Sequence, residues 1–218
     1  MNELKPVLAI ETSGNICGVS VYYNDDKHFD IHINNKLNHS KKLFQAIDSA
    51  LKMSDTALDE LQWIAVSGGP GSFTGLRIGL SAAKGIALGA ELPIVIVPTF
   101  QAIAFQTASF YPNGENFVIA NKVNNDEFYF AEFSINENSF IFAEDLRIIK
   151  KEELLSICNN KKNTISNSTD FKNIYSRLSV PAPLYIAKWS KLFGNDKSTY
   201  DFDTLEPLYY KEFIPIRR

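Results

Sequence analysis

Four glycines fall within eight residues, at Gly68, Gly69, Gly71 and Gly75, with Pro70 between them. Glycine accepts positive φ and lets another part of the chain come close, so such a run marks a turn that larger side chains could not make. Its flanks define the turn. Trp63 to Val66 is a short run of strand formers, and Leu76 to Ala90 reads as a helix with Thr74 placed to cap it. A strand, a glycine turn and a helix in this order also build phosphate loops, but the spacing fits neither standard form. The Gly-x4-Gly-Lys-Ser/Thr loop needs a Gly-Lys pair that the sequence does not contain. Gly69, Gly71 and Gly75 run one residue too long for the dinucleotide fingerprint.

Within the predicted helix, Gly75, Gly79, Ala83 and Ala87 recur every four residues and so share one face. Gly79, Gly85 and Gly89 each weaken a helix by roughly 0.8–1.0 kcal/mol relative to alanine, which packing must offset. Two readings of the small-residue face stand side by side. It seats the helix against the chain's own sheet or first helix, or it forms a docking surface for another subunit.

The rest of the chain divides into two successions of strands and helices. Val7 to Ile10 is a buried strand closed by the polar turn Glu11-Thr12-Ser13-Gly14-Asn15. Cys17 to Tyr23, the turn Asn24-Asp25-Asp26 and Phe29 to Ile33 continue it as antiparallel strands. Leu43, Phe44, Ile47, Ala50 and Leu51 mark a helix capped by Ser40 and ending near Met53. Ile94 to Val97 reads as a parallel strand buried on both faces, and Phe100 to Ala108 as a third helix. Turn formers cluster from Tyr111 to Asn116, where a linker separates subdomains 1–110 and 111–218. Beyond it, strands are expected at Phe117 to Ala120, Glu127 to Phe133 and Phe140 to Ile149. Helices are expected at Lys151 to Cys158 and Pro181 to Phe193, with a polar, poorly patterned stretch from Asn159 to Asp170. The second half is a shortened echo of the first.

Composition removes several function classes. Lys and Arg total 22 against 25 Asp and Glu, a net charge of −3, which argues against a stand-alone nucleic-acid binder. Two cysteines build neither a disulfide framework nor a four-ligand zinc site, so a reducing cytoplasm is the expected compartment. The most apolar stretch, Gly85 to Phe100, is broken by Glu91, Pro93 and Pro98, and falls short of the ~20 residues a membrane span needs. His28 and His32 form H-x-x-x-H, yet on a strand they lie ~13 Å apart, too far to share a metal. Ser72 lies outside any G-x-S-x-G elbow, and the last histidine is His39. Cys17 on a strand reads as a small buried hydrophobe.

Leu8-Ala-Ile-Glu-Thr-Ser13, His39-Ser40, Gly69-Pro-Gly-Ser-Phe-Thr-Gly-Leu-Arg-Ile-Gly79 and Lys84-Gly-Ile-Ala-Leu-Gly89 together resemble the bacterial TsaB family, also called YeaZ. The resemblance is strong from Val7 to Ala104, weaker at Glu127 to Phe133 and faint at Glu206 to Lys211. It implies an α/β chain with the actin-like, Hsp70-like ATPase (ASKHA) fold, of two related subdomains with the second shortened. It also implies a role in making N6-threonylcarbamoyladenosine (t6A) in tRNA, as the partner of a TsaD-type transferase, with a TsaE-type ATPase as a further subunit. Contact with tRNA would then come only through the complex, and a homodimer would form when the chain is alone.

An ATPase of this fold needs an acid and a hydroxyl turn after the first strand, and a second phosphate hairpin with Asp and Gly. Glu11, Thr12 and Ser13 supply a vestigial version of the first. At the second stand Ala120-Asn-Lys-Val-Asn-Asn125, with neither the acid nor the glycine; Asn121-Lys122-Val123 departs even from the Asp-Ala-Arg frequent in the family. The expectation is therefore a non-catalytic subunit with no metal and no cofactor of its own, ATP or ADP at a complex interface being left open. The rival is a stand-alone nucleotide-dependent enzyme of the same fold. The residues assigned to partner binding are Gly75, Gly79, Ala83, Ala87 and Arg77 on the second helix, with Leu43 and Ile47 on the first. For Arg77, a partner carboxylate and simple solvation are both open. The tail cations Lys211, Arg217 and Arg218 are slender grounds for RNA contact.

Overall fold

The structure, a computed structural model, describes residues 5–34, 39–137, 139–159, 163–168 and 175–210. The expectations for Lys211, Arg217 and Arg218 lie outside the described residues. The first half runs β1 (Val7–Glu11), β2 (Ile16–Tyr22), β3 (His28–Asn34), α1 (His39–Ser54), β4 (Ile64–Gly69), α2 (Phe73–Ala90), β5 (Ile94–Pro98) and α3 (Thr99–Ala108). Its sheet has the order β3-β2-β1-β4-β5. β1, β2 and β3 pair antiparallel, β4 lies parallel to β1, and β5 parallel to β4.

The continuous apolar character of β1 has a direct cause, since every residue of the strand is buried. Successive side chains point to opposite faces. Leu8 and Ile10 therefore join a core beneath α1 and α2, while Val7 and Ala9 join another with α3 and a later helix. On α1, Leu43, Ala46, Ile47 and Ala50 repeat at helical spacing and are all buried in the first of these cores.

The second half repeats the plan with β6 (Asn116–Lys122), β7 (Glu127–Asn136), β8 (Ser139–Lys150), α4 (Lys151–Asn159) and β9 (Thr164–Ile165). Its order is β8-β7-β6-β9, again three antiparallel strands with a parallel one beside the first. The repeat is shorter by one parallel strand, and the two sheets with their helices form the mixed α/β fold expected from the resemblance. One face of this sheet packs on α3 around Phe117 and Phe133, whose rings stack 5.5 Å apart; the other packs on α4 around Phe128, Phe130 and Leu154. Burying one such phenylalanine stabilises by about 1.5–3 kcal/mol. α5 (Pro183–Phe193) then returns to the first sheet, where Tyr185, Ile186 and Trp189 complete the core under Val7 and Ala9. Trp63 Nε1 donates to Ser190 Oγ at 3.0 Å and ties β4's approach to this helix.

Three local expectations need correction. α2 starts at Phe73, three residues earlier than its apolar pattern suggests, and its cap is Ser72, whose Oγ accepts from Gly75 N at 3.2 Å; Thr74 lies inside the helix. Ser40 is likewise the second residue of α1 rather than its cap. The stretch expected to lack pattern supplies β9, because Val118 N donates to Asn163 O and the two-residue strand needs no periodicity to pair with β6.

Of the glycines of α2, Gly79 is buried, and a Cβ added there would run into Thr12 Oγ1; one added at Gly85 would meet nothing. Gly79→Val should therefore destabilise the chain by about 2–3 kcal/mol through overpacking. Gly85→Ala should stabilise it by roughly 0.8–1 kcal/mol. Urea unfolding monitored by circular dichroism checks both signs; a tolerated Gly79→Val would refute the close packing.

Candidate functional site

The vestigial phosphate turn expected from the family resemblance follows β1. Glu11, Thr12 and Ser13 are all buried. Ser13 N donates to Glu11 Oε1, and Thr12 N donates to Ser67 Oγ at 3.3 Å from the end of β4. Glu11 Oε2 and Thr12 Oγ1 have no hydrogen-bond partner among the described residues. Burial pushes the Glu11 carboxyl up from its ordinary 4.5 to about 7, against the lowering influence of hydrogen bonds from Ser13 and Ser67. Burial, and then the nearby Glu11 carboxyl, push the Cys17 thiol up to about 11, which keeps it a neutral hydrophobe rather than a nucleophile.

The glycine loop packs closely against this turn. Ser72 N donates to Ser13 O at 2.7 Å, pinning the glycine loop onto the turn. Gly71 faces Ser13 O, and Gly75 faces Thr12 O, at distances that leave no room for a Cβ. A Cβ added at Gly14 would likewise collide with Val180. The second turn is also self-satisfied: Asn121 Nδ2 donates to Ser179 O at 2.8 Å, Asn167 N donates to Asn121 Oδ1 at 3.2 Å, and Lys122 N donates to Asn167 Oδ1 at 2.8 Å. Among the described residues, no group of three or more His, Cys, Asp or Glu side chains is placed to hold a metal. His28 and His32 lie exposed on β3, and His28 Nδ1 is 2.7 Å from Asp30 Oδ2.

The residues assigned to partner binding require a correction. Gly75, Gly79, Ala83 and Ala87 are buried, because this face of α2 is turned onto Thr12, Val66 and the sheet. Leu43 and Ile47 are buried in the same core. Only Arg77 of the seven is at the surface. The small residues let α2 approach its own sheet, and the large ones are left outside. Phe44 is 55% exposed and Leu88 70%, with Met53 and Phe73 also at the surface. A groove of about 510 Å³ runs between α1 and α2, lined by Phe44, Phe73, Thr74, Arg77, Ile78, Ser81 and Ala82. Reading the small residues as the interface missed this outer face. The signal was there in Phe44 and Leu88, large apolar residues that fall outside the buried stripes of their helices.

The carboxyl-terminal segment reaches the same place. Leu208 N donates to Gly68 O at 2.7 Å, laying the segment along the glycine loop. Tyr209 then sits beside α2, its ring 5.4 Å from that of Phe73, and its hydroxyl accepts from Arg77 Nε at 2.9 Å.

Residues 34–194 match the family model described as TsaD: tRNA N6-adenosine threonylcarbamoyltransferase. The chain is 29% identical to the tRNA threonylcarbamoyladenosine biosynthesis protein TsaB of Haemophilus influenzae, over 95% of this chain and 94% of that one. It is 33% identical to the Escherichia coli protein of the same name, over 68% of this chain and 64% of that one. Among solved structures, YeaZ from Pseudomonas aeruginosa superposes with a TM-score of 0.76 at 18% identity, covering 94% of this chain and 99% of that one. This structural likeness speaks for the fold.

The buried Glu11 has a measurable consequence. Its carboxyl ionises near pH 4.5 in the unfolded chain but near 7 in the folded one, so stability falls as pH rises through this window and stays low above it. The full cost is on the order of 3 kcal/mol. Glu11→Gln should flatten that slope and melt progressively above wild type between pH 5 and pH 8. Parallel pH profiles for the two proteins would show that another group governs the window.

Proposed function

The chain belongs to the TsaB (YeaZ) family of tRNA threonylcarbamoyladenosine biosynthesis proteins, and on that premise we propose that it is a non-catalytic subunit that binds and supports a TsaD-type transferase. One contrast carries the proposal: the turn that would hold a phosphate is buried under the chain's own glycine loop, whereas the outer face of α1 and α2 is open and apolar. Exposed large apolar groups gathered in one patch mark an interaction surface. Phe44 and Phe73 anchor the groove, Leu88 extends the exposed apolar face along α2 about four turns beyond Phe73, and Arg77 is its charge.

The remaining subunits follow from the same role. A TsaE-type ATPase supplies nucleotide chemistry that this chain's sealed turn does not, and ATP or ADP is held, if at all, at a subunit interface. With a net charge of −3, the chain reaches tRNA through the complex rather than by itself. Among the described residues no helix is long and apolar enough to cross a membrane; the role places the chain in the cytoplasm with its tRNA substrate. When the transferase is missing, the same face closes on a second copy by two-fold symmetry.

The tagged chain, purified from its native cells, should carry the transferase with it. In cells lacking the native protein, wild type should restore t6A, and the double variant Phe44→Asp/Leu88→Glu should fail to do so while melting at an unchanged temperature. Losing two such anchors should weaken transferase binding at least about thirty-fold, and the isolated variant should sediment as a monomer. Full binding by the double variant would move the interface elsewhere. Steady ATP turnover that disappears in Glu11→Ala would favour the rival, a stand-alone nucleotide-dependent enzyme of this fold.

A further inference from the structure

Arg77 is held in a way that an idle surface arginine is not. It lies one helical turn after Phe73, and its guanidinium carbon stands 3.9 Å from the centre of the Phe73 ring and 5.8 Å from that of Tyr209. Nε donates to Tyr209 Oη at 2.9 Å. Tyr209 is itself placed by the neighbouring backbone bond from Leu208 N to Gly68 O. The glycine loop thus positions the tail, the tail positions Tyr209, and Tyr209 with Phe73 orients the guanidinium. Of the five N–H donors of arginine, this arrangement uses one. Among the described residues no carboxylate lies within ion-pair distance of Arg77, and its Nη atoms make no hydrogen bond there. Fixing a long side chain in advance removes an ordering penalty that binding would otherwise incur.

A planar fork with a free edge matches a carboxylate or a phosphate. The surroundings select between them. Arg77 is the charged residue lining a groove otherwise made of Phe44, Phe73, Ile78, Ala82 and two hydroxyl side chains. A nucleic-acid backbone would call for several cations in a row, whereas a single fork at the rim of an apolar groove suits one carboxylate flanked by apolar side chains. We propose that Arg77 is the polar anchor of the α1–α2 face, that it receives an Asp or Glu carboxylate on an apolar helix of the transferase, and that Tyr209 is the positioning residue that presents the guanidinium to it. The proposal rests on the reading of this face as the transferase seat.

The test is equilibrium binding of the full chain to the purified transferase across a range of salt concentrations, with melting temperatures measured in parallel. Arg77→Gln should weaken binding about tenfold or more and flatten its salt dependence. Arg77→Lys, which keeps the charge without the fork, should recover only part of the loss. Tyr209→Phe keeps the ring and removes the hydroxyl; it should weaken binding several-fold in the wild-type background and not at all in the Arg77→Gln background, because it acts through the guanidinium. If Phe44→Asp/Leu88→Glu binds as wild type does, the seat itself is wrong and the proposal falls with it. If that variant fails to bind but Arg77→Gln binds fully, the seat stands and the anchor is overturned. A Tyr209→Phe loss of equal size in both backgrounds would show that Tyr209 touches the partner directly and overturn its positioning role. Loss of tRNA retention by Arg77→Gln with transferase affinity intact would place the fork on phosphate and overturn the carboxylate.

Discussion

The first turns of α2 lie directly on the backbone of Thr12 and Ser13, and the rest of the molecule is arranged around that contact. Ser72 N binds Ser13 O, and Gly71, Gly75 and Gly79 stand where any side chain would collide with the turn. Packed helices normally stand ~8–10 Å from their neighbours depending on the contact side chains, and three glycines in one register allow a close approach. Close approach brings β4 and α2 over the end of β1 and buries Glu11 beside Ser67. It also leaves the turn at Thr12 and Ser13 buried.

Sealing that turn leaves an electrostatic residue. Glu11 keeps one buried carboxylate oxygen without a partner among the described residues, and burial makes it hold its proton toward neutral pH. An acid in this condition lowers stability above neutrality. Its presence is better explained by the geometry of the turn, where Oε1 accepts the backbone N–H of Ser13, than by any ionic role.

Packing α2 by its small residues has a second effect on the opposite side. A helix has one face for the core, and once Gly75, Gly79, Ala83 and Ala87 occupy it, Phe73, Arg77 and Leu88 are directed outward. The same holds on α1, where Leu43 and Ile47 face the core and Phe44 does not. The exposed apolar face is a by-product of how the interior is closed. The carboxyl-terminal segment joins the two consequences, since Leu208 binds the glycine loop and Tyr209 binds the exposed arginine.

Local patterns in the sequence were sufficient for the strands β1 to β8, for the helices and for the repeated succession of elements. Apolar periodicity and turn formers are local properties, and they report which residues must be buried. The glycine block and the segments around it also carried the family likeness. Three features required the tertiary structure. β9 has two residues and no pattern, so only its pairing with β6 reveals it. α5 reads simply as an amphipathic helix, and nothing local shows that it crosses back to the first sheet. The small-residue face has one spacing but two meanings, because the same absence of side chains admits either a foreign helix or the chain's own turn. Periodicity determines that a face is small; which neighbour fills it is a long-range contact between residue 12 and residue 79, and that is decided only when β1, β4 and α2 are brought together.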